Sequence, residues 1–343
     1  RRRAGALGAA IMAAAKGHAA AAVHRAALMD AMAGVAAGAG PALLEPGGWA
    51  AVEWPVAARG ALRAIAGEAV GLQKAGLLAP HSFSFLDPSS GAAGRFEHPG
   101  RDCAELGPGA DGTATPLEAT DAASLLTVFA CDAAPAFARA LAAAAPSLRL
   151  RVDSSALQVK LQRTHGENGC APCHFDTSES APKRQVTLLV YFSEEWSEDY
   201  GARLCLQPFL SPCVRLSPSF GRCAVFLSDR LLHWSEPPSA SGASVDRWLL
   251  TVWVDGAAAD APLGAPFPPA LRRLLAPSLY REDDGGQGNA EYRAALAAGF
   301  PAGAAREALY EQQEREIAGL EGDEELREML QDLRDVIAEA DAE

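Results

Sequence analysis

The chain has 343 residues, 49% of them hydrophobic and 21% charged, with a formal net charge of -13. That length can bury one large core or two small ones, and the composition excludes collagen, mucin and a fully disordered chain. The acidic balance argues against a nucleic-acid partner.

Residues 1–44 form an Ala-rich, low-complexity extension; 20 of the first 50 residues are Ala. A helix there is expected to have little to bury. Its basic, acid-poor start reads either as a poorly ordered extension or as an organelle transit peptide over residues 1–30. The longest uncharged stretches, Ala4–Ala15 and Ala31–Leu44, fall short of a bilayer span and are rich in small residues. No membrane partner is expected.

Residues 45–147 read as a helical support region. Trp49–Val56 suits a short strand, and Ala57–Leu78 suits a helix with Leu62, Ile65, Val70 and Leu72 near one face. Residues 79–118 are rich in Pro, Gly, Ser and Asp and read as a long loop with room for one hairpin, a candidate lid. Ala122–Ala144 is a second helix, ended by Pro146.

From Leu148 the texture changes to short β-type runs between turn signals. They are Leu148–Val152, Leu157–Gln162, Gln185–Phe192, Arg203–Pro208, Val214–Leu216, Cys223–Leu227 and Arg247–Val254. Seven such runs predict an all-β sandwich or jelly roll. With its flanking helices the chain is mainly β, α+β in class, its core confined to residues 148–256. Residues 257–343 are a Pro-rich linker and an acidic tail. Within the tail Glu324–Ala340 spaces Leu326, Met329, Leu330, Leu333, Val336 and Ile337 as on one helix face. The tail also supplies most of the net charge imbalance, with 14 acidic and 4 basic side chains in residues 304–343.

The seven cysteines (Cys103, Cys131, Cys170, Cys173, Cys205, Cys213 and Cys223) are odd in number, and no Asn-x-Ser/Thr acceptor is present. A secreted disulfide framework is not expected; a reducing compartment, cytoplasm or nucleus, fits better unless residues 1–30 direct the chain to an organelle.

Two of the seven histidines stand in a telling context. His174-Phe175-Asp176 precedes a predicted strand, and positions i and i+2 of an extended chain point the same way, so imidazole and carboxylate can share one metal. His233 follows the Cys223–Leu227 run and can reach the same point across a jelly roll. Two His and one carboxylate on one face of a metal leave adjacent positions open, the arrangement of non-haem Fe(II) enzymes that activate O₂. Arg247 opens the strand Arg247-Trp248-Leu249-Leu250-Thr251-Val252-Trp253, 14 residues after His233. An Arg facing an apolar interior is costly unless it meets an anion, and a dicarboxylate would supply one in forked geometry. Tyr191 is placed to bond the same carboxylate.

These elements, with Arg184-Gln185-Val186-Thr187-Leu188-Leu189-Val190-Tyr191-Phe192, Trp196 and Leu227-Ser228-Asp229-Arg230, resemble the 2-oxoglutarate- and Fe(II)-dependent dioxygenases. The resemblance is greatest to the prolyl 4-hydroxylase branch, including the oxygen-sensing prolyl hydroxylases. It implies a double-stranded β-helix (jelly-roll) core. His174, Asp176 and His233 would ligate Fe(II), Arg247 would pair with the distal carboxylate of 2-oxoglutarate, and Tyr191 would support it. It also implies O₂ as co-substrate, ascorbate to keep iron reduced, release of succinate and CO₂, and a prolyl residue of a protein or peptide as substrate. Hydroxylation of a small molecule or another side chain is the alternative. Gly201-Ala202 stands where the family often has Gly-Gly, and Thr164 where close relatives often have Tyr. Cys170-Ala171-Pro172-Cys173-His174 also matches the Cys-x-x-Cys-His attachment motif of c-type haem, an electron-transfer reading that leaves Asp176, His233 and Arg247 without a role.

Overall fold

The most strongly β-branched runs become the centre of the larger of two sheets. The computed structural model describes residues 2–45, 47–86, 93–106, 124–167, 169–174, 176, 184–207, 214–228, 231–256 and 331. Its strands are β1 (Trp49–Glu53), β2 (Ala79–Leu86), β3 (Ala93–Glu105), β4 (Leu157–Thr164), β5 (Ala171–His174) and β6 (Arg184–Tyr191), followed by β7 (Leu204–Gln207), β8 (Val214–Leu216), β9 (Arg222–Leu227), β10 (Leu232–Ser235) and β11 (Arg247–Asp255). Seven strands pair in the order β1-β9-β6-β11-β4-β3-β2, and four in the order β5-β10-β7-β8. Every paired neighbour is antiparallel. The two sheets form the jelly roll.

Strand alternation divides the large sheet into two working faces. On the outer face Leu188, Val190, Val225, Trp248, Leu250 and Val252 join one apolar core with the helices. On the inner face Leu189, Tyr191, Ala224, Phe226 and Leu249 pack against Leu204, Leu206 and Leu216 of the small sheet.

Helices cover the outer face. They are α1 (Arg2–Leu43), α2 (Arg59–Lys74), α3 (Leu125–Val128) and α4 (Ala134–Ala144), the last two joined by a π turn over Phe129–Ala133. The Ala-rich segment buries more than its composition predicts: Leu28, Ala31, Met32, Val35, Ala36, Ala39 and Leu43 are core residues. Small side chains allow close helix contact. A Cβ at Gly40 would lie 2.7 Å from the Ala144 Cβ, so α1 and α4 meet where only glycine fits. Ala22–Leu43 and Leu125–Ala144 are apolar and long enough to cross a membrane by composition, but each contributes to this core. Glu68 of α2 caps α3 by accepting from the backbone N–H groups of Leu125 and Leu126 at 2.9 and 3.0 Å.

The stretch from residue 79 carries the one hairpin it had room for, β2–β3, which extends the large sheet. The structure corrects two expectations. Leu148–Val152 is not a strand; it holds the end of a short 3-10 turn and one isolated bridge, Leu150 to Gly256. β5 and β10 are additional short strands, and Pro172 is tolerated because β5 lies at a sheet edge. Residues 107–118 of the expected loop and the expected helix at Glu324–Ala340, Gln331 apart, lie outside the described residues.

Candidate active site

Two short strands of the small sheet place the histidines. β5 ends on His174, directly opposite His233 in β10. Opposed residues of an antiparallel pair carry their Cβ atoms on the same face, about 4.5–5.5 Å apart. His233 is buried and its ring lies 4.6 Å from that of Phe226, which puts it on the inner face of the roll. Its Nδ1 donates to the Leu231 carbonyl at 3.1 Å. That bond orients the ring with Nε2 on the side of Asp176.

Asp176 follows β5 and is also buried. Its Oδ2 lies 3.7 Å from His233 Nε2 and accepts from the Thr187 hydroxyl at 2.6 Å. Thr187 Oγ1 is in turn 2.8 Å from Ser228 Oγ, both side chains fully buried. A ring nitrogen and a carboxylate oxygen at this distance are placed to share a cation. The donor set, one N and one O with outer partners already satisfied, fits a divalent metal. The described side chains alone make no group of three metal donors; His174 is placed by strand register.

The anion end is built on β4 and β11. Arg247 is buried, its Nη1 donating to the Ala202 carbonyl and its Nη2 to Thr164 and Ser235 hydroxyls, each at 3.3 Å. Among the described residues Arg247 forms no ion pair, and its buried Nε–H has no acceptor. Burial lowers its pKa, an effect opposed by the nearby Tyr191 and reinforced by the Arg101 charge. A buried guanidinium held by neutral oxygens, with a donor to spare, fits an anion. A small cavity lined in part by Thr164, Trp196, Tyr200 and Ala202 opens beside it.

Tyr191 stands one residue pair along, opposite Leu249, and is buried on the inner face. Burial pushes its phenol up to about 12, with the Arg247 and Arg101 charges partly offsetting the rise. The phenol is therefore a neutral donor at physiological pH. Both departures from the family pattern touch Arg247. Thr164 accepts its hydrogen bond, and Ala202, left-handed at φ 52°, presents the carbonyl it binds. The structure thus gathers Asp176 with His233, and Arg247 with Tyr191, inside one roll. The sequence reading missed Thr187, Ser228 and Arg101. An alternation count along β6 exposes the first, since Thr187 and Gln185 are polar on the face that Leu189 and Tyr191 share.

The fold is a jelly roll whose interior holds a candidate metal site, Asp176 with His233, and a buried arginine. Residues 159–255 match the family model described as the 2OG-Fe(II) oxygenase superfamily. This part of the chain is similar to that superfamily, and the fold is prolyl hydroxylase-like. A solved structure of prolyl 4-hydroxylases from Phytophthora capsici is 23% identical, with 92% of this chain and 95% of that one covered and a TM-score of 0.56. A Pseudomonas putida prolyl-4-hydroxylase is 18% identical over 64% of this chain and 97% of that one, with a TM-score of 0.46. A prolyl hydroxylase from Trichoplax adhaerens, solved with a hypoxia inducible factor peptide fragment, is 15% identical over 65% and 90%, with a TM-score of 0.48. No curated protein is similar to the chain in sequence. The family is one of dioxygenases and implies Fe(II), 2-oxoglutarate and O₂. The c-type haem reading gives way: Ala171–His174 of its motif is strand β5, paired with β10 near the start of the matched segment.

Proposed function

We propose that the chain hydroxylates prolyl residues of a protein or peptide, coupling this to conversion of 2-oxoglutarate into succinate and CO₂, with ascorbate keeping the iron reduced. His174, Asp176 and His233 hold Fe(II), which when bound supplies O₂ activation coupled to decarboxylation of the keto acid. Arg247 grips the distal carboxylate of 2-oxoglutarate, and the neutral Tyr191 phenol donates to it. Thr187 and Ser228 lock the Asp176 carboxylate in one orientation. Leu189, Phe226 and Leu249 wall the space and exclude water.

The observation that carries this reading is a buried arginine with no carboxylate partner among the described residues, inside the same roll as the Asp176–His233 pair. The prolyl choice is supported by the sequence resemblance over the strands that bear the site. Incubation with Fe(II), 2-oxoglutarate, ascorbate and a proline-containing peptide library tests it. The expected result is succinate together with peptides heavier by one oxygen on proline, both abolished by His174→Ala and reduced by Arg247→Ala. Succinate with no oxidised prolyl peptide, but with an oxidised small molecule, would reject the prolyl substrate. Variants that match the wild type would reject the whole assignment.

A further inference from the structure

Thr164 in β4 is flanked in register by two arginines, Arg101 on β3 and Arg247 on β11, so the three form one row across the sheet. The hydrogen bonds put all three on the inner face. Arg247 donates to Thr164, while Arg101 Nη2 donates to Gln162 and Gln162 Nε2 donates to Thr251 at 2.6 Å. The acids near Arg101 in sequence are used elsewhere. Asp102 pairs with Arg163 and His165, each at 3.0 Å, and Glu105 pairs with Lys160 at 3.1 Å. Among the described residues Arg101 has no carboxylate partner, and its Nε–H, like that of Arg247, is buried without an acceptor. The two charges are close enough that Arg101 disfavours the charged form of Arg247.

Two like charges on the inner face, Arg247 buried and Arg101 half-buried, each with an idle donor, repel unless negative charge lies between them. A single carboxylate lying between the two guanidiniums can accept from both idle donors and relieve their repulsion. We propose that Arg101 is a second co-substrate-binding residue, which with Arg247 forms a two-guanidinium cradle for the distal carboxylate of 2-oxoglutarate. The idea rests on the assignment of Arg247 made above. It also gives the Thr164 position a physical reason: a short hydroxyl between the arginines leaves room for the anion that a larger side chain would occupy.

The test is anaerobic calorimetric titration of the Fe(II)-loaded full chain with three probes. These are 2-oxoglutarate, glutarate (both carboxylates, no keto group) and 2-oxobutyrate (keto acid, no distal carboxylate). Arg101→Gln is expected to weaken 2-oxoglutarate and glutarate by about 10- to 100-fold, where each tenfold is about 1.4 kcal/mol. Arg101→Lys should recover most of the affinity, and 2-oxobutyrate and Fe(II) affinities should not change. A merely structural Arg101 would move all probes alike, which overturns the proposal. So does unchanged 2-oxoglutarate affinity, including the case in which only the hydroxylation substrate binds more weakly. If Arg247→Gln weakens 2-oxoglutarate while Arg101→Gln does not, this inference alone fails. If neither does, or the wild type binds no 2-oxoglutarate, the underlying assignment fails with it.

Discussion

The two faces of strand β11 do different work. Trp248, Leu250, Val252 and Val254 point outward into one continuous apolar core with the helices. Arg247, Leu249, Thr251 and Trp253 point inward, and there the polar residues gather: Gln162 bonds Thr251, and Arg247 bonds Thr164 and Ser235. A single strand with a period of two therefore separates stability from chemistry. The outer face is apolar and packed against the helices. The inner face holds buried polar groups that cost stability unless each is satisfied.

The sharpest way to break this comparison is to cut each face in turn. Asp176→Ala should weaken Fe(II) binding by at least about 100-fold, since loss of even an outer-shell partner costs 10–100-fold in metal sites, while the unfolding midpoint of the metal-free protein barely moves. Metal titration and denaturant melts read the two effects separately. Leu250→Ala on the outer face should do the reverse, lowering stability by about 2–5 kcal/mol and leaving the 2-oxoglutarate affinity of the folded protein unchanged. An inner-face substitution that melts the protein, or an outer-face one that abolishes binding, would erase the distinction.

How far these faces were legible in the sequence depended on the strand. The runs that became β4, β6, β9 and β11 are rich in Val and Leu with no interior Pro or Gly, and their own pattern marks them as strands. β5 and β10 escaped notice because they have four residues each; one carries Pro172, and both owe their ladder to tertiary pairing. His174, Asp176, His233 and Arg247 stood out because two imidazoles, a carboxylate and a lone guanidinium in ordered β-sequence have few other uses. Arg101 gave no such signal. It sits in a stretch rich in Gly, Pro and charge that reads as a surface loop, and only the register with Thr164 turns it inward. The packing of α1 was hidden for another reason: an Ala-rich helix shows little hydrophobic patterning, yet its small side chains permit the close approach at Gly40.

Smaller effects sharpen the picture of the inner face. The folded Tyr191 pKa of about 12 exceeds its ordinary value of 10.0, so the proton is held more tightly in the folded state. The sign follows: this stability is fully present below pH 10.0 and is lost as pH rises through about 12. The loss is on the order of 2–3 kcal/mol at about 1.4 kcal/mol per pH unit. Tyr191→Phe should flatten that alkaline limb in urea melts compared at pH 8 and pH 11. Ala202, at φ 52°, carries the left-handed strain that glycine does not. Ala202→Gly should raise stability by about 0.5–1 kcal/mol in thermal melts, net of the added freedom of the unfolded chain, without altering 2-oxoglutarate binding.

The most direct test of the central claim is diffraction at the iron absorption edge from anaerobic crystals of the full chain with Fe(II) and 2-oxoglutarate. The account predicts one iron at bonding distance from His174, Asp176 and His233, with the distal carboxylate of the keto acid against Arg247. Iron bound elsewhere, at the Cys170 and Cys173 thiols for instance, or a keto acid lying away from Arg247, would contradict it.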